Sequence, residues 1–256
     1  MTDTMTTSSD WPIAFFDDDY LKIYAPRLTE ERTKAEVDFL ERELAPAPGA
    51  RVLDLACGAG RHAVGMALKG YRVTGFDFNA SYLELGANAA REAGTAVTWR
   101  QGDMRRFEFD APFQAAYSYF TSFGYYSDDE NEQVLANLAR CLEPKGRFLI
   151  EMADRDYLLT HPMQRTWLQR DDGALLMEEH TIDIVSSRVT SRQTLIEPGA
   201  GPRITKEYTL RVYTCAELSA VMRRHGLEVT RSLGGPDGSE YSRESRRLVL
   251  VATRRG

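Results

Sequence analysis

The segment spanning residues 52–63, Val-Leu-Asp-Leu-Ala-Cys-Gly-Ala-Gly-Arg-His-Ala, constrains the fold of this chain more than any other stretch. Its apolar residues interleave with Asp54 and predict a short buried strand, after which Gly58 and Gly60 predict a turn whose backbone passes close to a ligand. A helix is predicted from about residue 61 to residue 70. We expect its sheet-facing side to consist of Ala63, Val64, Ala67 and Leu68. This order of elements is typical of the first crossover in α/β sheets that bind nucleotide-like ligands.

The glycine pattern alone leaves two ligand classes open. Residues 58–63 also fit the dinucleotide fingerprint, which tolerates alanine at its last position, so a nicotinamide-dependent oxidoreductase is one alternative. Asp54, however, precedes Gly58 by four residues. A carboxylate there would repel a diphosphate and attract the ammonium of a methionine-type ligand. Asp54 therefore favours the methionine-type ligand.

Two further acidic residues follow predicted strands. Residues 73–77 predict a second apolar strand ending in Asp77, about 20 residues on, where such folds place a carboxylate against ribose hydroxyls. A third predicted strand leads into Asp103 and Met104, an acid beside a flat apolar side chain. This pair suits an adenine ring, with Asp103 accepting from the exocyclic amine and Met104 lying against the ring face. Phe78 is predicted to pack against the same ring.

In their order and separation these motifs resemble those of class I S-adenosylmethionine-dependent methyltransferases. The resemblance rests on residues 54–62, 75–77 and 102–104, continues into 119–125 and 142–150, and covers the chain from about residue 20 to residue 253. It implies an α/β fold with a Rossmann-like seven-stranded sheet, a C-terminal β-hairpin that inserts an antiparallel strand, and S-adenosyl-L-methionine as cofactor. It also implies methyl transfer by in-line displacement to a small-molecule acceptor, with nitrogen or oxygen favoured as the acceptor atom over the alternatives carbon and sulfur.

The resemblance assigns expected roles to the cofactor residues. Gly58 and Gly60, with Ala56 in the same turn, would let the backbone approach the methionine part of the cofactor. Asp54 would take its ammonium directly or through water, and Asp77 would hold both ribose hydroxyls. For Asp77, capping of the next helix is the competing structural role.

The chain divides into four predicted parts. Residues 1–10 are polar and predict a disordered tail, whereas the aromatic-rich residues 11–48 predict an N-terminal lid and helical segment. Tyr24 would contact the cofactor from this lid, although a helix that only packs on the sheet is equally compatible with the sequence. Residues 49–160 and 214–256 predict the Rossmann-like core. Residues 161–213 predict an antiparallel β insertion on the acceptor side, since β-rich runs there alternate with turn residues.

Residues 119–126 are expected to line the gap between the sulfonium and the acceptor. A general base would help if the acceptor is an alcohol or an ammonium. Tyr119, which would also contact the cofactor, Glu151 at the end of the fifth strand and His180 in the insertion are the catalytic candidates. Each of them has a structural role as its alternative, and a non-catalytic S-adenosylmethionine-binding module is an alternative for the whole chain.

The composition limits the classes of partner that the chain is expected to bind. The net charge of −6 gives no general attraction to nucleic acid, and no apolar run approaches the roughly 18 residues that cross a bilayer. The three cysteines are widely spaced and predict reduced thiols in a cytoplasmic protein, while the scattered histidines predict no metal site. In similar methyltransferases the β insertion roofs the acceptor pocket or mediates contact between two copies, so the resemblance leaves a homodimer open.

Overall fold

Two β-sheets organise the computed structural model, which describes residues 15–162, 165–199 and 203–256. The strands are β1 (Arg51–Leu55), β2 (Arg72–Asp77), β3 (Thr98–Gln101), β4 (Phe113–Ser118), β5 (Leu142–Ala153), β6 (Arg165–Gln169), β7 (Leu175–Asp183), β8 (Arg188–Ile196), β9 (Arg203–Arg211), β10 (Leu227–Leu233) and β11 (Arg247–Arg254). The α-helices are α1 (Asp18–Tyr24), α2 (Glu30–Leu44), α3 (Arg61–Leu68), α4 (Ala80–Glu92), α5 (Asp128–Cys141), α6 (Arg155–Thr160) and α7 (Cys215–Arg224). The predicted tail, residues 1–10, lies outside the described residues.

The larger sheet has seven strands in the order β10-β11-β5-β4-β1-β2-β3. Strands β1 to β5 pair in parallel, whereas β11 pairs antiparallel with both β5 and β10. This topology confirms the predicted Rossmann-like sheet with its C-terminal hairpin. Strand β1 lies between β2 and β4. From β1 the chain first adds β2 and β3 on one side of the sheet and then adds β4 and β5 on the other, so the strand order reverses at β1. Ligands of open α/β sheets bind in the crevice at the carboxyl ends of such strands.

Helix α3 buries Ala63 and Ala67 as predicted, whereas the predicted Val64 is only half-buried. Its buried residues are His62, Ala63, Met66 and Ala67, whereas 59% of Leu68 is exposed. The buried stripe repeats at the helical spacing of three to four residues. Leu68 was therefore wrongly predicted to face the sheet, because the buried position one turn from Ala63 is taken by Met66 and Ala67.

The four-stranded insertion sheet has the antiparallel order β6-β7-β8-β9, as the β-rich pattern predicts. One of its faces buries Leu176, Leu195 and Ile204 against Ile23 and Tyr24 of α1. The insertion therefore lies against α1, and α1 is sandwiched between the insertion and the rest of the chain. This burial of apolar area gives the insertion its main attachment to the N-terminal segment.

The N-terminal segment forms two helices joined by a 3-10 turn over Ala25–Arg27. Asp17 caps α1 by accepting from the N–H groups of Asp19 and Tyr20, and Thr29 caps α2 by accepting from the N–H of Arg32. Helix α2 begins directly after Thr29 because the Thr29 hydroxyl satisfies one of the free N–H groups of its first turn. None of the helices formed by the described residues has the length and apolar character needed to cross a membrane.

Candidate active site

A cavity of about 310 Å³ lies at the carboxyl ends of the central strands. This volume falls at the lower end of the roughly 300–1,000 Å³ that is usual for small-molecule sites. Its walls come from the segments that follow β1, β2, β3 and β4 and from the N-terminal segment around α1. The predicted site residues that line it are Asp54, Ala56, Gly58, Asp77, Phe78, Met104 and Tyr119. Tyr24, Gly60, Asp103, Glu151 and His180 are not among the lining residues.

Asp54, at the floor of this cavity, carries a buried carboxyl oxygen that is left without a partner. Only 2% of the residue is exposed, and its Oδ2 atom has no hydrogen-bond partner among the described residues. Burial raises the pKa of Asp54 to about 7, although the neighbouring Tyr117 phenol and the Arg61 charge act in the opposite direction. A buried, unpartnered acceptor of this kind is a costly feature in the absence of a ligand, and an ammonium group would satisfy it.

Asp77 ends β2 and holds the glycine turn in place. Its Oδ2 atom accepts from the Gly58 N–H at 2.8 Å, and its Oδ1 atom accepts from the Asn79 N–H at 2.9 Å. Burial raises the pKa of Asp77 above its ordinary value. Helix α4 is capped by Asn79 rather than by Asp77, so the competing capping role belongs to its neighbour. Each carboxylate oxygen keeps a second lone pair, which leaves Asp77 able to accept from a pair of hydroxyls.

The two glycines of the turn serve different needs. Gly58 has a φ of +55°, and a Cβ added there would meet only a Tyr82 ring atom at 4.0 Å. Gly60 has a φ of +74°, but a Cβ there would lie 2.3 Å from the Trp99 ring. Gly58 therefore borders open cavity, as a close ligand approach requires. Gly60 instead leaves room for the Trp99 ring. Because Gly60 packs against this ring, Gly60 does not line the cavity.

A buried charge network beside the turn was missed by the sequence interpretation. Glu36 of α2 forms an ion pair with Arg61, accepts from Arg32 Nε at 2.8 Å and lies 2.9 Å from His62 Nε2. Burial alone would raise the pKa of Glu36, but the His62 hydrogen bond and the Arg61 charge lower it to about 2. Burial lowers the pKa of His62 to about 4, so this imidazole is neutral at neutral pH. The spacing of Arg32 and Glu36 on one helix face was the available signal.

Arg61, together with His62, lines the cavity wall. Its Nη1 atom donates to Thr33 Oγ1 at 3.1 Å, whereas its Nη2 atom is buried without a partner among the described residues. The cavity region therefore holds one unsatisfied anionic acceptor, on Asp54, and one unsatisfied cationic donor, on Arg61. Together they form a pair suited to the amino and carboxylate groups of a zwitterion.

Two predicted cofactor contacts have other partners. The Tyr24 hydroxyl accepts from Gln193 Nε2 at 2.7 Å, and its ring lies 4.4 Å from that of Tyr20, which lines the cavity in its place. The Asp103 carboxylate sits in the fork of the Arg105 guanidinium, with Oδ2 2.7 Å from Nη2. Burial raises the pKa of Asp103, but Arg105 outweighs it and the net pKa is lowered.

The three catalytic candidates differ in their access to the cavity. Tyr119 lines the cavity, and burial raises the pKa of its unpartnered hydroxyl, which stays protonated at neutral pH. Glu151 accepts from the Phe120 N–H at 2.7 Å and forms an ion pair with Arg247, so both of its carboxylate oxygens are engaged. His180 pairs with Ser191 in the insertion sheet, away from the lining residues. Of the three, only Tyr119 is placed to contact a ligand in the cavity.

Groups of three or more histidine, cysteine or acidic side chains able to hold a metal ion are absent from the part of the chain that the structure describes. The described residues that line the cavity include two carboxylates, a guanidinium, an imidazole and several aromatic rings. These groups bind and orient a ligand through hydrogen bonds, charge and ring contacts.

Comparison with known proteins gives three informative likenesses. A family model described as a methyltransferase domain matches residues 52–146. The cypemycin N-terminal methyltransferase of Streptomyces sp is 27% identical over 219 residues, which cover 82% of this chain and 85% of that protein. The dTDP-4-amino-2,3,4,6-tetradeoxy-D-glucose N,N-dimethyltransferase of Saccharopolyspora spinosa is 25% identical over 190 residues, covering 73% of this chain and 75% of that protein.

Among solved structures, the CcbJ methyltransferase from Streptomyces caelestis superposes with a TM-score of 0.79 and 20% identity, covering 88% of this chain and 90% of that one. At 20% sequence identity this likeness shows only that the two proteins share a fold. The family match spans β1 to the first part of β5 and so includes the glycine turn, Asp77 and residues 119–126.

Proposed function

Because the chain belongs to the class I S-adenosylmethionine-dependent methyltransferases, we propose that it methylates a nitrogen atom of a small-molecule amine. The observation that carries this proposal is the two-sided cavity. One side has the unpartnered Asp54 and Arg61 atoms and the Asp77 carboxylate, whereas the other side is built largely from aromatic rings. The relative from Saccharopolyspora spinosa is named as an N,N-dimethyltransferase of an amino sugar nucleotide, which supports the choice of nitrogen.

The first side fits the cofactor. Asp54 Oδ2 would accept from the ammonium, Arg61 Nη2 would donate to the carboxylate, and Asp77 would accept from the ribose hydroxyls. Met104 and Phe78 line the same cavity and would pack on the adenine. When bound, S-adenosylmethionine supplies a methyl group activated by a positively charged sulfur.

The second side suits an amine. The ring of Phe16 lies 4.9 Å from that of Tyr20 and 5.4 Å from that of Tyr125, with interplanar angles of 65° and 83°. Such edge-to-face clusters turn electron-rich ring faces in several directions, and these faces attract ammonium groups and amine N–H groups. The lone pair of the acceptor nitrogen would form the new N–C bond while the S–C bond breaks with its electron pair left on sulfur, and the nitrogen would then release its proton to water.

The state of Tyr119 fits this assignment. Because burial keeps its hydroxyl protonated, Tyr119 would orient an acceptor or exclude water rather than remove a proton. An ammonium loses its proton far more readily than an alcohol does, so an amine acceptor depends less on a protein base. The paired Glu151 carboxylate is not placed to serve as that base. We therefore favour nitrogen over oxygen as the acceptor atom.

The test is release of S-adenosylhomocysteine from S-adenosylmethionine across a panel of amines, amino acids, amino sugars, phenols, carboxylates and thiols. The Asp77→Ala variant serves as the blank. Turnover confined to amines is the expected result. Turnover confined to phenols would overturn the nitrogen assignment, and cofactor binding without turnover on any acceptor would favour a non-catalytic binding module.

We propose that the protein acts in the cytoplasm on a small-molecule acceptor. Its cysteines, Cys57, Cys141 and Cys215, are all free, as a reducing compartment favours. The homodimer stays a prediction, and light scattering of the purified protein tests it.

A further inference from the structure

We propose that Glu151 and Arg247 are positioning residues that hold the turn of residues 119–122 in a strained conformation that methyl transfer requires. This assignment rests on the proposed methyl transfer and extends it to two side chains outside the cavity wall. It gives Glu151 a different role from the general base that the sequence predicts.

The strain lies in two consecutive residues of the turn. Phe120 has a φ of +65° and Thr121 a φ of +57°, both in the left-handed region. Residues other than glycine rarely adopt this region, and a β-branched residue such as threonine is a marked outlier there. Two successive such residues persist only where the surroundings impose them, and such strain concentrates at functional sites.

Four contacts impose this conformation. Glu151 accepts from the Phe120 N–H through Oε2 at 2.7 Å, and its main-chain carbonyl accepts from the Thr121 N–H at 3.2 Å. Arg247 Nη2 donates to Thr121 Oγ1 at 2.6 Å, and its Nε atom forms an ion pair with Glu151. Only 4% of Glu151 is exposed, so these charge-assisted bonds act in a low-dielectric setting where they are strong.

The turn occupies the part of the cavity where the two proposed ligands meet. Tyr119, Phe120, Thr121 and Ser122 all line it. The Phe120 ring lies 5.7 Å from the Arg61 guanidinium on the cofactor side and 6.0 Å from the Tyr24 ring of α1. A relaxed φ at Phe120 would move this ring and open the junction between cofactor and acceptor. Misplacing reacting groups by about 1 Å costs on the order of 100-fold in rate.

The experiment compares Arg247→Gln and Glu151→Gln with Arg231→Gln. Arg231 is a matched control, because it is a strand arginine that forms an ion pair with another buried glutamate, Glu43, which is 4% exposed. We expect kcat to fall about 10- to 100-fold in the first two variants, while the Kd for S-adenosylhomocysteine changes by less than about threefold. Arg231→Gln is expected to lower the melting temperature and to leave kcat within about twofold.

A rescue variant separates positioning from simple stabilisation. Glycine adopts positive φ without steric cost. The double variant Arg247→Gln/Thr121→Gly is therefore expected to have a kcat at least about threefold higher than that of Arg247→Gln alone. The pH profile separates positioning from proton removal, since both single variants should keep the wild-type profile shape. If Glu151→Gln alone loses the acidic limb of the kcat profile, Glu151 is the base and the positioning assignment is wrong.

A milder variant covers the case in which the charge variants do not fold. Thr121→Val removes only the hydroxyl that Arg247 contacts, and we expect it to lower kcat several-fold with an unchanged Kd for S-adenosylhomocysteine. Full activity of Thr121→Val and of the conservative Arg247→Lys variant would overturn the assignment. Absence of turnover by the wild-type enzyme would instead overturn the proposed function, so the two failures are distinguishable.

Discussion

The cofactor side and the acceptor side of the cavity are built in different ways. On the cofactor side, the Asp77 carboxylate binds the Gly58 N–H only 19 residues away in the chain. Where the acceptor side meets the cofactor side, the turn at Phe120 and Thr121 is held by Glu151, 31 residues from Phe120, and by Arg247, 126 residues from Thr121. A site made of neighbouring residues leaves a motif in the sequence, whereas a site made of distant ones leaves only scattered residues.

Helix α1 joins the two sides. The two residues just before α1 contact the cofactor side, where Asn79 Nδ2 donates to the Phe16 carbonyl at 2.6 Å and the Tyr82 hydroxyl donates to the Asp17 carbonyl at 2.8 Å. The helix itself contacts the insertion through the bond between Gln193 and Tyr24. A ligand that shifts α1 on one side of the cavity would therefore change the contacts of α1 on the other side.

The largest expected effect is on cofactor affinity, in a variant that changes only the cofactor side. Asp77→Ala removes the predicted acceptor of both ribose hydroxyls and should weaken S-adenosylhomocysteine binding on the order of 100- to 1,000-fold. Asp103→Asn is the matched control, because its carboxylate is held by Arg105 outside the cavity, and its Kd should change less than about threefold. Calorimetric titration measures both. Equal losses in the two variants would show that the cofactor lies toward Asp103.

The next effect separates packing from ligand approach within the glycine turn. Gly60→Ala places a Cβ 2.3 Å from Trp99 and keeps a positive φ, so we expect a loss of about 2–3 kcal/mol in unfolding free energy. Gly58→Ala meets no atom closer than 4.0 Å and should lose only about 1 kcal/mol. Urea denaturation measures both variants. A more destabilising change at Gly58 would contradict the different roles given to the two glycines.

A smaller effect concerns pH on the cofactor side. With a pKa of about 7, Asp54 is protonated in the free protein below that pH, and an ammonium partner requires the carboxylate. Cofactor binding should therefore release a proton below pH 7, and affinity should fall by up to about tenfold per pH unit there. Titrations at pH 6 and pH 8 measure this, and Asp54→Asn should remove the difference. A pH-independent affinity of the wild type would show that Asp54 does not take the ammonium.

The raised pKa of Asp54 also affects the free energy of unfolding. This stability contribution falls as the pH rises, whereas the cofactor affinity increases. Because the folded-state pKa is raised from 3.8 to about 7, the folded protein holds this proton more tightly than the unfolded chain. The stabilisation from Asp54 protonation is present at low pH and is lost as the pH rises through 7. Cofactor binding offsets that loss, so the protection from thermal unfolding by S-adenosylhomocysteine should increase from pH 6 to pH 8.

The smallest effect tests the link through α1. Gln193→Leu removes the hydrogen bonds that Nε2 donates to the Tyr24 hydroxyl and to Glu178 while keeping a similar side-chain volume, and we expect it to raise the KM for the acceptor a few-fold. The KM for the cofactor should be less affected, because the contacts of Asn79 and Tyr82 remain. Steady-state kinetics with each substrate varied separately measure the two values. An equal rise in both would show that α1 responds as one unit.

The parts of the fold that were predictable share a local cause. The glycine turn, Asp77 and the terminal hairpin follow strand and turn patterns that short-range sterics and burial determine, and the sheet topology confirms the predicted fold. The insertion strands were predictable because their alternation follows from one buried face. The family match over residues 52–146 covers the same local signals.

The parts that were not predictable depend on tertiary partners. Glu151 has the sequence context of a site residue, and only the fold brings it to Arg247. Gly60 looks equivalent to Gly58 until Trp99, from another strand, is packed against it. The ion pair between Glu36 and Arg61 joins two helices whose relative placement no motif encodes. Such contacts are set by packing between elements that are distant in sequence.

The most direct test of the central claim is a side-by-side titration of the wild-type protein with S-adenosylhomocysteine and with NAD. A cavity built around an unpartnered Asp54 and a free Arg61 donor should bind S-adenosylhomocysteine in a saturable way, with one site per chain. NAD, which brings a diphosphate toward Asp54, should neither bind measurably nor displace it. Binding of NAD with displacement of S-adenosylhomocysteine would contradict the assignment of this cavity to a methyl donor.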